Sequence, residues 1–129
     1  MANILSQSVQ KFLLQHIQSV EDLDVLMLVR SAPKKDWNAS DVSESLSMDP
    51  ISASNRLMGL YLQGLLTHPV GEGKLYRYRY QPHRTLEKLA NELAACYDRY
   101  RTEVCDYVSQ NQRGQMLAFA GAFRLSKEK

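Results

Sequence analysis

A chain of 129 residues with 44% hydrophobic content can bury one ordinary core and is too short for two. A net charge of +2 and a pI near 8.6 exclude the strong basic excess of a nucleic-acid packager, though not a nucleic-acid reader. No apolar run approaches bilayer length, and the N-terminus lacks a basic region, so a soluble, cytoplasmic protein without a membrane segment is expected.

Residues 1–18 read as an N-terminal helical extension. Leu5, Val9, Phe12, Leu13 and Ile17 recur at helical spacing and give an amphipathic helix of about three turns. Residues 19–82 read as the main domain. Ser19 with Asp22 three positions on forms a capping-box start. The segment from Leu23 to Val29 is apolar on most of its circumference, so it predicts the central buried helix, closed by Pro33. Trp37 then stands beside a helix start, where an indole serves either as a lid on the core or as a stacking platform for a base.

Asp41 to Leu46 gives one or two helical turns with Val42 and Leu46 inward and Ser40 as the cap. Asp49 and Pro50 open the next helix, the first as N-cap and the second at the position where no amide donor is needed. Ala53, Leu57 and Leu60 make its inner stripe, Ser52, Asn55, Arg56 and Gln63 its outer one, and Gly64 its end. Leu65 to Val70 and Leu75 to Tyr80 predict two strands around the turn Gly71-Glu72-Gly73-Lys74. The alternation in Tyr76-Arg77-Tyr78-Arg79-Tyr80 puts the tyrosines on one face and the arginines on the other.

Residues 83–110 predict one long helix, from Arg84 to about Gln110, with no internal glycine or proline. Leu86, Leu89, Leu93, Cys96, Tyr100 and Tyr107 approximate a heptad seam, and Ala90, Ala94, Tyr97, Val104 and Val108 fill the adjoining stripe. A band this wide exceeds what one small domain can cover, which calls for a partner. Cys96 and Cys105 on a continuous helix stand roughly 13 Å apart, too far to bridge. Residues 111–129 form a tail in which Met116, Leu117, Phe119, Ala120, Phe123 and Leu125 predict a short apolar helix.

The sum is mainly α with a small β-hairpin (α+β). Two helices joined at Ser47-Met48-Asp49-Pro50, the order Leu57, Leu60, Gly64, Leu65, Leu66, and the following hairpin resemble the winged helix-turn-helix superfamily, in particular the MarR-like bacterial transcriptional regulators. The resemblance covers about the middle third of the chain and its flanking helices. It implies an extra N-terminal helix that joins a dimer interface, although packing back on its own domain is an equal alternative.

It further implies a homodimer held by the long C-terminal helix through Leu86, Leu89, Leu93, Tyr97, Tyr100, Val104 and Tyr107. Double-stranded DNA would then be read by Pro50, Ile51, Ser52, Asn55 and Arg56, with Lys74 and Arg77 of the wing on the backbone. In such dimers an effector lies between lobe and dimer helices, where Tyr97, Tyr100 and Tyr107 serve either as cleft lining or as packing.

No phosphate loop, nucleophile elbow, metal-ligand spacing or carboxylate pair is present, so no catalytic residue, metal or cofactor is expected. Two functions compete. The expected one is a DNA-binding transcriptional regulator that acts as a homodimer; the alternative is a winged-helix module that binds protein without sequence-specific DNA binding. Between Trp37 and Pro82 the bases Arg56, Lys74, Arg77 and Arg79 are matched by the acids Asp41, Glu44, Asp49 and Glu72. A neutral reading head favours the second unless its charges are asymmetrically placed.

Overall fold

The computed structural model describes residues 5–67, 70, 71 and 76–110. Four of its helices begin where a short polar side chain accepts from the first turn, a contact that contributes about 1 kcal/mol each. Ser6 caps α1 (Gln7–His16), Ser19 caps α2 (Val20–Ser31), Asn38 caps α3 (Ala39–Leu46) and Asp49 caps α4 (Pro50–Leu62). The expected cap of α3, Ser40, lies instead in its first turn. Asn38 wins because Asp41 returns the bond: Asp41 N donates to Asn38 Oδ1 at 2.8 Å, and Asn38 N donates to Asp41 Oδ2 at 3.4 Å.

Between α3 and α4 the chain reverses within Ser47, Met48 and Asp49. Ser47 takes a left-handed conformation (φ 52°) that closes α3, and Met48 N donates to Ser43 O at 3.1 Å. Ser43 Oγ also donates to the Met48 carbonyl, so one side chain holds the far end of the turn.

α2 is the central element, with Leu23, Val25, Leu26 and Val29 all fully buried. Val42 of α3 and Ala53, Leu57 and Leu60 of α4 share its core. Each leucine enclosed in this way contributes about 1.5–3 kcal/mol. Helix α1 lies back on its own chain, burying Val9, Phe12 and Leu13 and packing against the helix that follows Pro82.

β1 (Asp36–Trp37) pairs antiparallel with β2 (Tyr78–Arg79), with Asp36 opposite Arg79 and Trp37 opposite Tyr78. On the other side of β2, bridges join Leu66 to Tyr80 and Val70 to Arg77, and Thr67 N donates to Arg79 O at 2.8 Å. The described parts of the legs expected at 65–70 and 75–80 therefore meet, through these isolated bridges. Tyr78 and Tyr80 point to the core and Arg77 and Arg79 to solvent, as the alternation requires. The Trp37 indole is only 4% exposed, which makes it a lid on the core and removes it as a stacking platform.

The long C-terminal helix is two helices. α5 (Arg84–Arg99) stops at Tyr100 (φ −132°, ψ 49°), and residues 101–110 are helical again. Tyr100 N still donates to Cys96 O at 2.8 Å while its carbonyl accepts from Val104 N at 3.0 Å, so this residue ends one helix and starts the next. The bend returns Val104 and Val108 to the core at 0% and 2% exposure. Since α1 also covers α5, Ala90, Leu93, Ala94, Val104 and Val108 of the apolar band are buried within one chain, while Leu86, Leu89, Cys96, Tyr97 and Tyr107 are partly covered and Tyr100 is exposed. Neither cysteine is in a disulfide, and the 13 Å helical rise no longer separates them, because the helix is not continuous. Lys74 and the apolar tail lie outside the described residues.

Candidate functional site

Helix α4 presents two opposed surfaces. Inward, Ala53, Leu57 and Leu60 are fixed in the core. Outward, Ile51 and Leu62 are 73% and 72% exposed, with Asn55 and Met58 between them. These four side chains are spaced four, three and four residues apart and so lie along one ridge of the helix. Large apolar groups exposed singly are ordinary; three on one helical stripe are not.

Two of the polar residues expected to face DNA, Ser52 and Arg56, lie elsewhere. Arg56 turns toward the start of α2, where Nη1 sits 3.3 Å from Asp22 Oδ1 and 3.3 Å from Ser19 Oγ. Its Nε is buried with no hydrogen-bond partner. Ser52 Oγ donates to Glu21 Oε2 at 2.7 Å. Both side chains thus join α4 to α2 on the flank, and Ser52 and Arg56 are corrected from outward readers to interhelical contacts. The reason is helical geometry: 52 and 56 share a stripe that the acidic first turn of α2 faces. Gln63 is also engaged, its Oε1 2.8 Å from His16 Nδ1.

Pro50, Ile51 and Asn55 remain exposed at the N-terminal half of α4, as does Arg77 in the hairpin. Arg79 is held by Asp36, with Nε 2.9 Å from Oδ1. Two depressions flank the α4 ridge. One of about 390 Å³ is lined by Ala39, Ser40, Pro50, Ile51, Ser54 and Asn55. The other, of about 260 Å³, includes His16, Gln18, Arg56, Gly59 and Leu62. Asp41 and Glu44 lie on α3 and Asp49 caps α4, and Glu21 accepts from Ser52 on the flank toward α2.

Met58, Leu62 and Ser54 belong to this surface and were missed in the sequence. The available signal was the recurrence of Ile51, Met58 and Leu62 at helical spacing, a second apolar stripe on a helix that already had one.

The residues expected at a dimer interface divide by exposure. Leu93 and Val104 are fully buried inside the chain and have no surface to offer. Leu86, Leu89, Tyr97 and Tyr107 are partly covered by the same core, and Tyr100 is 36% exposed. Tyr97 donates to Asp24 Oδ1 at 3.1 Å, with the Arg101 guanidinium 5.5 Å from its ring centroid. Its hydroxyl is pushed up to about 12, first by burial and then by the charge of Asp24. Burial likewise raises Tyr78, Tyr80 and the Cys96 thiol. These shifts describe packing contacts.

Among the described residues no His, Cys, Asp and Glu side chains gather as a metal site, and no helix is long and apolar enough to cross a membrane. No protein-family model matches the chain, and no curated protein and no solved structure is significantly similar to it.

Proposed function

We propose that the protein is a winged helix-turn-helix module whose exposed α4 ridge binds protein. In this reading α3 and α4 form the helix-turn-helix, the legs around Gly71 form the wing, and β1 is the short strand that pairs with it. One observation carries the choice. The ridge that a DNA reader would set in the major groove is Ile51, Asn55, Met58 and Leu62, while the only cation of α4, Arg56, is paired with Asp22.

DNA affinity rests on neutralised phosphates, and an apolar ridge on a helix whose one cation is paired with Asp22 neutralises none. An apolar helical stripe fits the complementary stripe of another helix. The second reading, a DNA-binding transcriptional regulator, is favoured by the exposed Asn55 at the head of α4 together with the exposed Arg77.

A homodimer through α5 and the helix 101–110 remains part of either reading, using Leu86, Leu89, Tyr100 and Tyr107 in place of the enclosed Leu93 and Val104. An effector bound beside Tyr97, Tyr100 and Tyr107 also belongs to the DNA-binding reading.

The test pairs two measurements on the full chain. A photoreactive residue at Met58 should cross-link in cells to a defined protein, and Ile51→Glu should abolish that product. Gel shifts against fragments from around the protein's own gene, over a salt series, should show no loss on Asn55→Ala. Sequence-dependent binding that Asn55→Ala removes would overturn the proposal in favour of the regulator.

A further inference from the structure

Three elements converge on one recess: the C-terminal end of α1 at His16, the head of α2 at Asp22, and α4 between Arg56 and Gln63. Its volume is about 260 Å³, room for roughly nine water molecules, and Leu60 and Leu62 give it an aliphatic wall.

Gly59 lines this recess and is not explained by the fold. It lies inside α4, where glycine is the least favourable residue after proline. It has no positive φ, and a Cβ built on it would meet no atom within 4 Å. Neither the backbone nor a neighbouring side chain therefore requires glycine here. What the missing side chain does provide is a bare stretch of main chain that a bound molecule can approach closely.

Arg56 is the second unexplained feature. A guanidinium carries five N–H donors, and Asp22 and Ser19 engage only Nη1, each at 3.3 Å, against the ~2.7–2.9 Å of a close charged pair. Nε is buried without a partner, and Nη2 makes no hydrogen bond among the described residues. The nearby acceptors are in use. Asp22 Oδ2 accepts from Gln18 N at 3.0 Å, and Gln63 Oε1 lies 2.8 Å from His16 Nδ1. Arg56 is also the more open member of its pair, with 27% of its side chain exposed against 10% for Asp22, so an entering molecule meets the positive charge first.

We infer that this recess binds a small aliphatic carboxylic acid as its anion. The carboxylate supplies the acceptor oxygens that the recess lacks and pairs with guanidinium nitrogens of Arg56 that Asp22 leaves free. The hydrocarbon body lies across the main chain of Gly59 and against Leu60 and Leu62. An aliphatic body suits the lining, because its one ring among the described residues, the His16 imidazole, is engaged by Phe12 at 5.0 Å between centroids and by Gln63. The volume admits a molecule of about nine non-hydrogen atoms or fewer. The inference does not depend on what the ridge of α4 binds.

An NMR titration of the full, isotope-labelled chain tests this. Sodium isocaproate is the probe, isocaproamide its uncharged counterpart, and sodium chloride the control for ionic strength. Saturable shifts of the Gly59 amide and the Arg56 Nε–H are expected, with half-saturation in the millimolar range or below. Isocaproamide should bind about tenfold more weakly, or worse, for want of the charge. Gly59→Ala should hold or raise the thermal midpoint, since its methyl meets nothing in the fold, and weaken isocaproate about tenfold by occupying the floor of the recess. Arg56→Lys should weaken it as well, because a lysine keeps the charge and loses the planar fork.

No saturable shift, or shifts that sodium chloride reproduces, would overturn the inference. Equal binding of the amide would overturn it by removing the carboxylate from recognition. So would a Gly59→Ala chain that is more stable and binds isocaproate unchanged. Should Arg56→Lys fail to fold, the wild-type titration and Gly59→Ala still decide. None of these results bears on cross-linking from Met58, so the docking function stands or falls separately.

Discussion

Arg56 Nη1 lies 3.3 Å from Asp22 Oδ1, and this pair fixes how α4 crosses the start of α2. Asp22 is held from two further sides. Its Oδ2 accepts from Gln18 N at 3.0 Å, and its own amide donates to Ser19 Oγ at 3.2 Å. A carboxylate this enclosed is already organised before the guanidinium arrives, so the pair loses less side-chain entropy than a free surface bridge.

The pair is therefore expected to couple measurably. Its side chains are 27% and 10% exposed, between the fully solvated and fully buried cases. A double-mutant cycle with Asp22→Ala and Arg56→Ala, read by urea denaturation, should give a coupling of about 1 kcal/mol. A coupling indistinguishable from zero would mean that Arg56 is held there without stabilising the fold and is free to serve elsewhere.

The two faces of α4 should respond oppositely to the same kind of change. Leu62→Ser acts on a side chain that is 72% exposed and should alter stability by no more than about 0.5 kcal/mol. Leu60→Ala, two residues away and 1% exposed, should cost about 2–5 kcal/mol through lost burial and a cavity. Thermal denaturation of the two variants side by side checks this. A comparable loss at Leu62 would show that the ridge packs against something within the fold.

Ser47 is the one non-glycine residue with positive φ among the described residues, at 52°. A side chain there costs about 1 kcal/mol relative to glycine, part of which is offset because glycine gives the unfolded chain more freedom. Ser47→Gly is therefore expected to stabilise by about 0.5 kcal/mol, measured as a raised denaturation midpoint. A lowered midpoint would show that the Ser47 side chain makes a compensating contact in the turn.

Local signals made most of the scaffold legible. Ser19, Asp49 and Pro50 announce helix starts by chemistry that acts within one turn, and the alternation through Tyr80 assigns faces without knowledge of the partner strand. What could not be read depends on three-dimensional company. Ser52 and Arg56 look outward on a helical wheel, and only the placement of Glu21 and Asp22 beside them decides otherwise. The bend at Tyr100 has no glycine or proline to mark it. It follows from the core's demand for Val104 and Val108, a tertiary preference that overrides good local helix propensity.

The Tyr97 hydroxyl donates to Asp24 Oδ1 at 3.1 Å, linking α5 to α2, and its titration supplies a pH-dependent prediction. Burial and the adjacent carboxylate raise it from 10.0 to about 12. The fold thus prefers the neutral phenol, while the unfolded chain ionises it near the ordinary value. Its contribution is fully present below pH 10 and is lost as pH rises through about 12.

Tyr78 and Tyr80 are raised as well, mainly by burial, and act in the same direction. Urea midpoints measured upward from pH 9 should consequently hold and then decline across that window. Tyr97→Phe should cost about 1 kcal/mol at neutral pH, the worth of one hydrogen bond, and should make the alkaline decline shallower without abolishing it. An unchanged decline in Tyr97→Phe would assign the alkaline sensitivity to Tyr78 and Tyr80 and would leave the Tyr97 to Asp24 contact without a role in holding α5 on α2.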